Sequence, residues 1–486
     1  MKQAIKRMGW KTKRIERLSY YLGSGAENAV STFVGVYLSA YLLMSGIDVT
    51  ISAIVLLVVK IWDAINDMLF GYIVDKVRFH PGKSRLSQWF CQGRFLPWFK
   101  VGIFILPISM IVLFSINITL PIWGRVIWFM LGYMLYDFAF TICDVPYCSM
   151  LTTLTDSHEE RIAISSYRPF GQGIGALPVS FLGAIFIVGG TGYTRAAVIF
   201  AIVSVLCAIP MLFLVKEHNY KSPTAGEKRY SIREMLSFVF HEKSLVSLFS
   251  GKMFFSLLYT ASYTLFIAYY IFNNAMISVL YMAIGVIPTL LMLPFFPILY
   301  RHVEKMTVIK FACGINSALC LIIFFVGYGN PPLHFVLYSL MTLSYTCILL
   351  TFPMVTPDVA ELCRYKTGTE STGMIYAMDS VITKFVGSFS GTISLLVLGL
   401  FGYQAVTAGS FEELAVLNQQ GIGLQTDLAL TGLWFVSFLL PAIGFGLAFV
   451  AFHFYKLREK DVRIMIKINT DALSREEGEK LLSKKY

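Results

Sequence analysis

Charged residues are scarce in this chain. Asp, Glu, Lys and Arg together make up 14% of its 486 residues, whereas a typical soluble domain carries about 25%. Apolar residues supply 56% of the chain, and they are spread along nearly its whole length instead of forming one anchor. This composition argues against a soluble protein and predicts an all-α membrane protein that crosses the bilayer many times.

Paired cysteine motifs are also lacking from the sequence. The eight cysteines are scattered, mostly within apolar segments, with no CxxC spacing, which argues against a disulfide framework or a metal cluster. No small-residue cleavage site follows a short apolar stretch at the N-terminus, so we expect the first span to be retained. The formal charge of +11 does not indicate a nucleic-acid partner, because the basic residues lie in short loops between apolar runs.

Loops rich in Lys and Arg alternate with loops that have few or none. The basic loops lie near residues 76–94, 161–168, 216–243, 301–310 and 364–366, and the others near residues 46–50, 117–120, 189–194, 272–275, 327–332 and 402–427. By the positive-inside rule, this alternation predicts twelve transmembrane helices with both termini in the cytoplasm. We therefore expect a multi-pass protein of the plasma membrane, with the lipid bilayer as its surroundings.

The longest predicted cytoplasmic connection falls near the middle of the chain. It predicts an N-terminal six-helix bundle over residues 1–215, a central loop over 216–243, a C-terminal six-helix bundle over 244–460 and a cytoplasmic tail over 461–486. Two sets of six spans suggest two packed bundles around a cavity at the membrane midplane.

The second span carries two acids at membrane depth. Asp63 and Asp67 are four residues apart, so on a helix they share one face, and Asn66 is adjacent. A carboxylate there costs at least about 2.5–3.5 kcal/mol on insertion scales, and two on one face repel each other unless a positive charge lies between them. The pattern favours a site for a proton or a small hard cation, which oxygen ligands suit. The alternative is a structural salt bridge to Lys60 or to a basic residue of another span.

The fourth span contains Thr141 and Asp144, which are three residues apart and face similar directions on a helix. Pro146 would free a backbone carbonyl group near them. We interpret Thr141 as an oxygen ligand of the cation and Asp144 as an acceptor of hydrogen bonds from a polyol substrate. The alternative is a proline kink with a locally satisfied acid.

Further polar residues in the spans predict a substrate site. Glu27 and Asn28 follow glycines in the first span and would line the cavity. Arg168 opens the fifth span, where it either snorkels to the cytoplasmic rim or acts as a gate that meets substrate. Lys384 is the basic residue of the eleventh span and either pairs with an acid or contacts substrate. Tyr147 could stack on a sugar ring, although most aromatics here are packing or interfacial residues.

At these residues the chain resembles a known family. The segments that carry the resemblance are Trp62-Asp63-Ala64-Ile65-Asn66-Asp67, Asp144-Val145-Pro146-Tyr147, Leu18-Ser19-Tyr20 and Gly93-Arg94-Phe95-Leu96-Pro97-Trp98. They are similar to segments of the glycoside–pentoside–hexuronide:cation symporters, a branch of the major facilitator superfamily that includes the bacterial melibiose carrier. The resemblance covers nearly the whole chain. It implies the major facilitator fold, alternating access and sugar import driven by Na⁺, Li⁺ or H⁺, with no enzymatic activity and no cofactor.

The resemblance also implies roles for individual residues. It implies that Asp63, Asp67, Asn66 and Thr141 bind the cation, that Asp144 binds the sugar with Arg168 and Lys384 nearby, and that Asp358 and Glu361 belong to an inner gate. Two departures concern the substrate, because the melibiose carrier has an acid where this chain has Asn28 and a tryptophan where it has Cys148. They put a galactoside in doubt and favour an anionic sugar such as a hexuronide, while a pentoside or an oligosaccharide stays open.

Two other functions fit the same residues less well. One is a symporter of the same fold that carries a lysolipid or another amphiphile. The other is a membrane-embedded enzyme that uses the paired aspartates, but the spans lack a His cluster or an evident nucleophile beside a base. We expect a monomer, and the insertion at residues 77–91 has no interpretation from the sequence.

Overall fold

The structure is a computed structural model that describes residues 12–77, 79–80, 82–155, 158–218, 242–258, 263–292, 295, 299–300, 302–367, 372–469 and 473–483. The side chains of some helical residues, Asp67 and Lys384 among them, lie outside this description. The described residues contain no strand beyond an isolated bridge between Ser45 and Thr407. The predicted all-α class is therefore confirmed.

The helices follow one another along the whole described chain. In chain order they are α1 (Arg14–Met44), α2 (Val49–Lys76), α3 (Arg85–Phe90), α4 (Leu96–Leu113), α5 (Ile122–Leu154), α6 (His158–Phe186), α7 (Gly192–Leu214), α8 (Lys243–Leu257), α9 (Thr264–Phe266), α10 (Ile277–Met292), α11 (Lys305–Val326), α12 (Pro331–Thr367), α13 (Thr372–Leu400), α14 (Phe411–Gln419), α15 (Asp427–Trp434), α16 (Leu440–His453), α17 (Glu459–Asn469) and α18 (Arg475–Leu481). Short π-helical segments cover Ile187–Thr191, Ile267–Ile271 and Phe435–Leu439.

The chain divides into two compact units. Unit one comprises Met1–Glu227, Ala268–Val279 and Tyr403–Thr426, and unit two comprises Lys228–Ile267, Leu280–Gly402 and Asp427–Tyr486. Unit one thus contains α1 to α7 together with α14, and unit two contains most of the remaining helices. The finer boundaries expected from the sequence stay predictions.

Six stretches of the described residues are long and apolar enough to cross a membrane. They are Leu96–Leu113, Ile122–Leu151, Phe170–Leu214, Lys305–Val326, Pro331–Lys366 and Asp427–His453. Shorter apolar helices cover Val49–Lys60, Ile277–Pro288 and Phe389–Leu400. The third of the long stretches bends at Gly190, whose φ of +84° favours glycine because other residues rarely adopt it. The expected total of twelve spans remains a prediction.

Helices α1 and α6 pack backbone against backbone. A Cβ atom on Gly175 would lie 1.9 Å from the carbonyl oxygen of Gly25. Only glycine fits at such a position, so small residues set the separation of these two helices. The close approach brings Asn28 against α6, where its side-chain Nδ2 donates a hydrogen bond to the carbonyl oxygen of Gln172 at 3.0 Å.

A carboxylate caps the N-terminus of α4. Glu217 accepts hydrogen bonds from the backbone N–H groups of Arg94, Phe95 and Leu96 at 3.0, 2.8 and 2.7 Å. Groups at a helix N-terminus lack intrahelical partners, and a negative charge there suits the helix dipole. Because Glu217 follows α7, the contact fixes the end of α7 to the start of α4.

The insertion at residues 77–91 contains α3, and it docks on α4 and α7. The ammonium group of Lys100 donates to the carbonyl oxygen of Trp89 at 2.5 Å and lies 4.1 Å from the centroid of the Trp89 ring. The same ring stacks on Phe213 with centroids 5.3 Å apart. The insertion therefore adds packing at the end of unit one where α4 begins.

Candidate functional site: two polar clusters on helix α5

The first cluster joins α2 to α5 through Asn66. Its side-chain Nδ2 donates hydrogen bonds to Asp137 Oδ2 and to Thr141 Oγ1, each at 3.1 Å. The Thr141 hydroxyl in turn donates to the carbonyl oxygen of Asp137 at 3.0 Å. Asn66 and Asp137 are each 4% exposed and Thr141 is 1% exposed. The structure thus brings together two of the residues that the sequence predicts for the cation site, and it adds a buried carboxyl group to them.

Asp63 lies on the same helix as Asn66, with a basic residue beside it. Lys60 Nζ is 3.6 Å from Asp63 Oδ2, and it also lies 5.3 Å from the centroid of the Tyr133 ring. Asp137 interacts electrostatically with both Asp63 and Lys60. The structural salt bridge between Lys60 and Asp63, which was the alternative to a cation site, is therefore formed. The one ammonium group of Lys60 nevertheless faces two carboxyl groups.

The first cluster offers oxygens, and among its described residues two carboxyl groups share one ammonium group. Asp63 and Asp137 supply carboxyl oxygens, Thr141 a hydroxyl oxygen and Asn66 an amide oxygen, which are ligands suited to a small hard cation. Asp67 belongs to α2, one turn beyond Asp63. Its side chain lies outside the described residues, so its place in the cluster stays a prediction.

The second cluster surrounds Asp144, also on α5. Arg168 of α6 forms an ion pair with it, with Nη2 2.9 Å from Asp144 Oδ1. The other terminal nitrogen of Arg168 donates to Cys148 Sγ at 3.0 Å, and Cys148 Sγ lies 3.4 Å from the same Asp144 oxygen. The guanidinium group of Arg168 therefore contacts α5 in this structure, and its role in substrate binding stays a prediction.

Tyr147 supports the second cluster. Its ring stacks on Tyr20 of α1 at a centroid distance of 4.4 Å and an angle of 13°, and the guanidinium carbon of Arg168 lies 4.9 Å from its centroid. The ring is fully buried, so here it packs against the Asp144–Arg168 ion pair and does not offer a face on which a sugar ring could stack. Glu27 of α1 is buried and interacts electrostatically with Arg168.

The predicted gate residues lie in unit two, on α12. Lys305 Nζ is 2.7 Å from Asp358 Oδ2, and Asn469 of α17 donates to Glu361 Oε2 at 2.8 Å. Both acids are thus engaged within their own unit. The side chain of Lys384 lies outside the described residues, so its predicted contacts are not placed.

Neither Asp137 nor Lys252 was among the site residues predicted from the sequence. Asp137 precedes Thr141 by four residues and Asp144 by seven, a spacing that puts all three on one face of α5. That signal was present in the sequence. Lys252 of α8 pairs with Asp379 of α13 at 2.5 Å, and no spacing could indicate a partner on so distant a helix.

The helical scaffold that holds these two polar clusters is that of a transporter with the major facilitator fold. The chain belongs to the MFS/sugar transport protein family, whose model matches residues 19–459. The glucuronide carrier protein homolog of Escherichia coli (strain K12) is 21% identical over 94% of this chain and 95% of that protein. The sodium-dependent lysophosphatidylcholine symporter 1 of Gallus gallus is 25% identical over 80% of this chain and 79% of its own length.

Solved structures agree on the fold. The crystal structure of the nucleoside transporter NupG superposes with a TM-score of 0.59 at 15% identity, over 92% of this chain and 100% of that chain. The protein is therefore a multi-pass membrane transporter and not an enzyme. Transporters of this family need no cofactor, since the coupling cation is itself a substrate.

Proposed function

We propose that this protein is a cation-coupled sugar symporter of the plasma membrane, with both termini in the cytoplasm. The observation that carries the proposal is the placement of both clusters on α5. Thr141 belongs to the first cluster and Asp144 to the second, and they are three residues apart on one helix. A ligand bound at either cluster would therefore restrain the same turn of α5.

The first cluster is the proposed cation site. Asp63, Asp67, Asn66 and Thr141 would bind Na⁺, Li⁺ or H⁺, and the cation would offset the negative charge that Lys60 alone does not balance. Neutralising buried carboxylates lowers the cost of holding them in the membrane. Cation binding would also order the adjacent substrate cluster, and the coupling is reciprocal, since each ligand raises the affinity for the other by the same factor.

The second cluster is the proposed substrate site. Asp144 would accept hydrogen bonds from sugar hydroxyl groups, and Asn28, Glu27 and Cys148 would lie around the bound sugar. The guanidinium group of Arg168 presents a planar set of N–H donors that matches a carboxylate. We therefore favour a hexuronide, which also agrees with the similarity to the glucuronide carrier homolog. A pentoside or an oligosaccharide would use Asp144 in the same way.

Accumulation of an aryl glucuronide in proteoliposomes under a Na⁺ gradient tests the proposal. We expect Asp63→Cys to abolish cation-driven accumulation while some substrate binding remains, because the change removes a cation carboxylate and leaves Asp144 and Arg168 in place. Ser344→Ala is a suitable control, since it removes a buried hydrogen bond to Ala312 in unit two. Full cation-driven accumulation by Asp63→Cys would show that the cation binds elsewhere.

A lysolipid is the second candidate substrate, because of the similarity to the sodium-dependent lysophosphatidylcholine symporter. A zwitterionic headgroup could place its phosphate against Arg168 and its cationic end against Asp144. Competition separates the two candidates. If the substrate is a sugar, soluble glycosides will displace a bound glucuronide and lysophosphatidylcholine will not.

A further inference from the structure

Asp137 is a buried acid that the proposed function does not use. It lies on α5 where that helix faces α2, and its side chain accepts a hydrogen bond from Asn66 at 3.1 Å. Its backbone carbonyl oxygen accepts another from the Thr141 hydroxyl at 3.0 Å. An acid at this depth is costly, and a simple contact between two helices could be made by an apolar residue instead.

The chemistry of the Asn66 amide shows what a carboxylate adds. The amide has two N–H donors on nitrogen and one carbonyl oxygen that accepts. Both of its hydrogen bonds to α5 use the nitrogen, which faces Asp137 and Thr141. The amide oxygen is therefore turned away from these two α5 groups.

Of the two α5 groups, only Asp137 can fix this orientation. A hydroxyl group both donates and accepts, so Thr141 would tolerate either edge of the amide. Asp137 Oδ2 accepts the hydrogen bond from Asn66, and a carboxyl oxygen that carries no proton can only accept, so this oxygen requires the nitrogen edge. With Asp137 present, one of the two amide orientations is excluded, and the oxygen of Asn66 is kept available as a cation ligand.

We infer that Asp137 is a positioning residue of the cation site, which holds the Asn66 amide with its oxygen directed to the cation and so raises the affinity for a small monovalent cation. This inference rests on the proposed function, because it takes Asn66 as a cation ligand. It differs from a purely structural role, in which Asp137 would stabilise the α2–α5 contact without changing cation affinity.

The test compares two replacements that remove the same charge. Asp137→Asn and Asp137→Ala both delete the carboxylate, so they lose its electrostatic attraction for a cation equally. The amide that Asp137→Asn introduces can still pair with Asn66, but it can present either its oxygen or its nitrogen. About half of the Asn66 amides would then be correctly oriented, which weakens cation binding about twofold from orientation alone. Asp137→Ala removes the partner altogether, so the hydrogen bond no longer favours the competent conformer of Asn66 over its other rotamers. A loss of about 1 kcal/mol lowers the ratio of competent to other conformers by up to about fivefold further.

The measurement is the melting temperature of the purified full-length protein titrated with NaCl against choline chloride at constant ionic strength. We expect a half-saturating Na⁺ concentration several-fold higher for Asp137→Ala than for Asp137→Asn. In an Asn66→Ala background this difference should vanish, because Asp137 acts through Asn66. The melting temperature without Na⁺ reports the contribution of Asp137 to stability separately. The control variant Ser344→Ala should lower the melting temperature without changing the half-saturating Na⁺ concentration.

Equal Na⁺ midpoints for Asp137→Asn and Asp137→Ala would overturn the inference, whether both resemble the wild type or both are weakened. If Asp137→Ala does not fold, Asp137→Ser takes its place, since its hydroxyl is too short to replace the carboxylate contact. A wild-type protein that responds to none of Na⁺, Li⁺ and pH would instead refute the proposed cation site itself. The two failures are therefore distinguishable.

Discussion

The polar cluster of α2 and α5 in unit one and the ion pair of unit two differ in charge balance. In unit two, Lys252 Nζ lies 2.5 Å from Asp379 Oδ1 and 3.3 Å from Thr356 Oγ1. The Thr356 hydroxyl donates to the other Asp379 oxygen at 3.2 Å. Among the described residues one cation faces one anion there, and both carboxylate oxygens have partners. In unit one, a single ammonium group faces two described carboxyl groups, and its ion pair is 3.6 Å long.

The difference indicates which cluster can accept a ligand. A neutral, fully engaged pair gains little from an added ion, and its own attraction offsets part of its desolvation cost. A cluster in which acids outnumber bases is costly in the membrane until a proton or another cation neutralises the unpaired acid. We conclude that intramembrane acids predict a cation site only where bases do not already balance them.

Breaking the unit-two pair should have the largest effect on stability. Lys252→Met leaves Asp379, whose side chain is 21% exposed, without its cation. Removing one partner of a fully buried pair costs about 3–5 kcal/mol, which is the upper bound for this partly buried pair. We expect a strongly lowered melting temperature and a reduced yield of folded protein. Thermal unfolding in detergent measures the first, and size-exclusion chromatography measures the second.

The matched control replaces both charges. The double variant Lys252→Met with Asp379→Leu removes the unpaired charge, so it should recover most of the stability that the single variant loses. If Lys252→Met is as stable as the wild type, or if the double variant is no better than the single one, the pair is not the structural element that the contrast requires.

A bound sugar should protect the Asp144–Arg168 cluster of unit one from chemical labelling. Cys148 is exposed and contacts both charged residues, so a bound sugar should block its alkylation by a maleimide. With an aryl glucuronide at ten times its Kd, the rate should fall about elevenfold. Mass spectrometry of the labelled peptide measures this rate.

Two cysteines give the controls for that measurement. Cys347 of α12 in unit two is partly exposed, and its labelling should not respond to the sugar. Cys148→Ala should remove the protected signal while the other cysteines still react. Equal labelling of Cys148 with and without every sugar tested would place the substrate away from this cluster.

Spacing along single helices predicted much of the fold and part of the site. The apolar runs and polar spacings identified α2 and α5, and they selected Asn66 and Thr141, which are in contact. Asp137 was missed because it belongs to no segment of the family resemblance, although its spacing to Thr141 was readable. Lys252 and Asp379 lie 127 residues apart, and no local pattern connects residues so far apart in sequence. Partner choice between helices is decided by packing, which the sequence does not display.

A second polar contact in unit two should have the smallest effect. Tyr281 Oη and His334 Nε2 are 2.6 Å apart, and both residues are buried between α10 and α12. Tyr281→Phe removes one hydrogen bond and keeps the ring, so the free energy of unfolding should fall by about 1 kcal/mol. Because the contact carries no excess charge, the Na⁺ midpoint and the apparent KM for sugar should stay at their wild-type values. A tenfold loss of transport at nearly unchanged melting temperature would show that a neutral polar contact in unit two also serves transport, and the charge-balance argument would then fail.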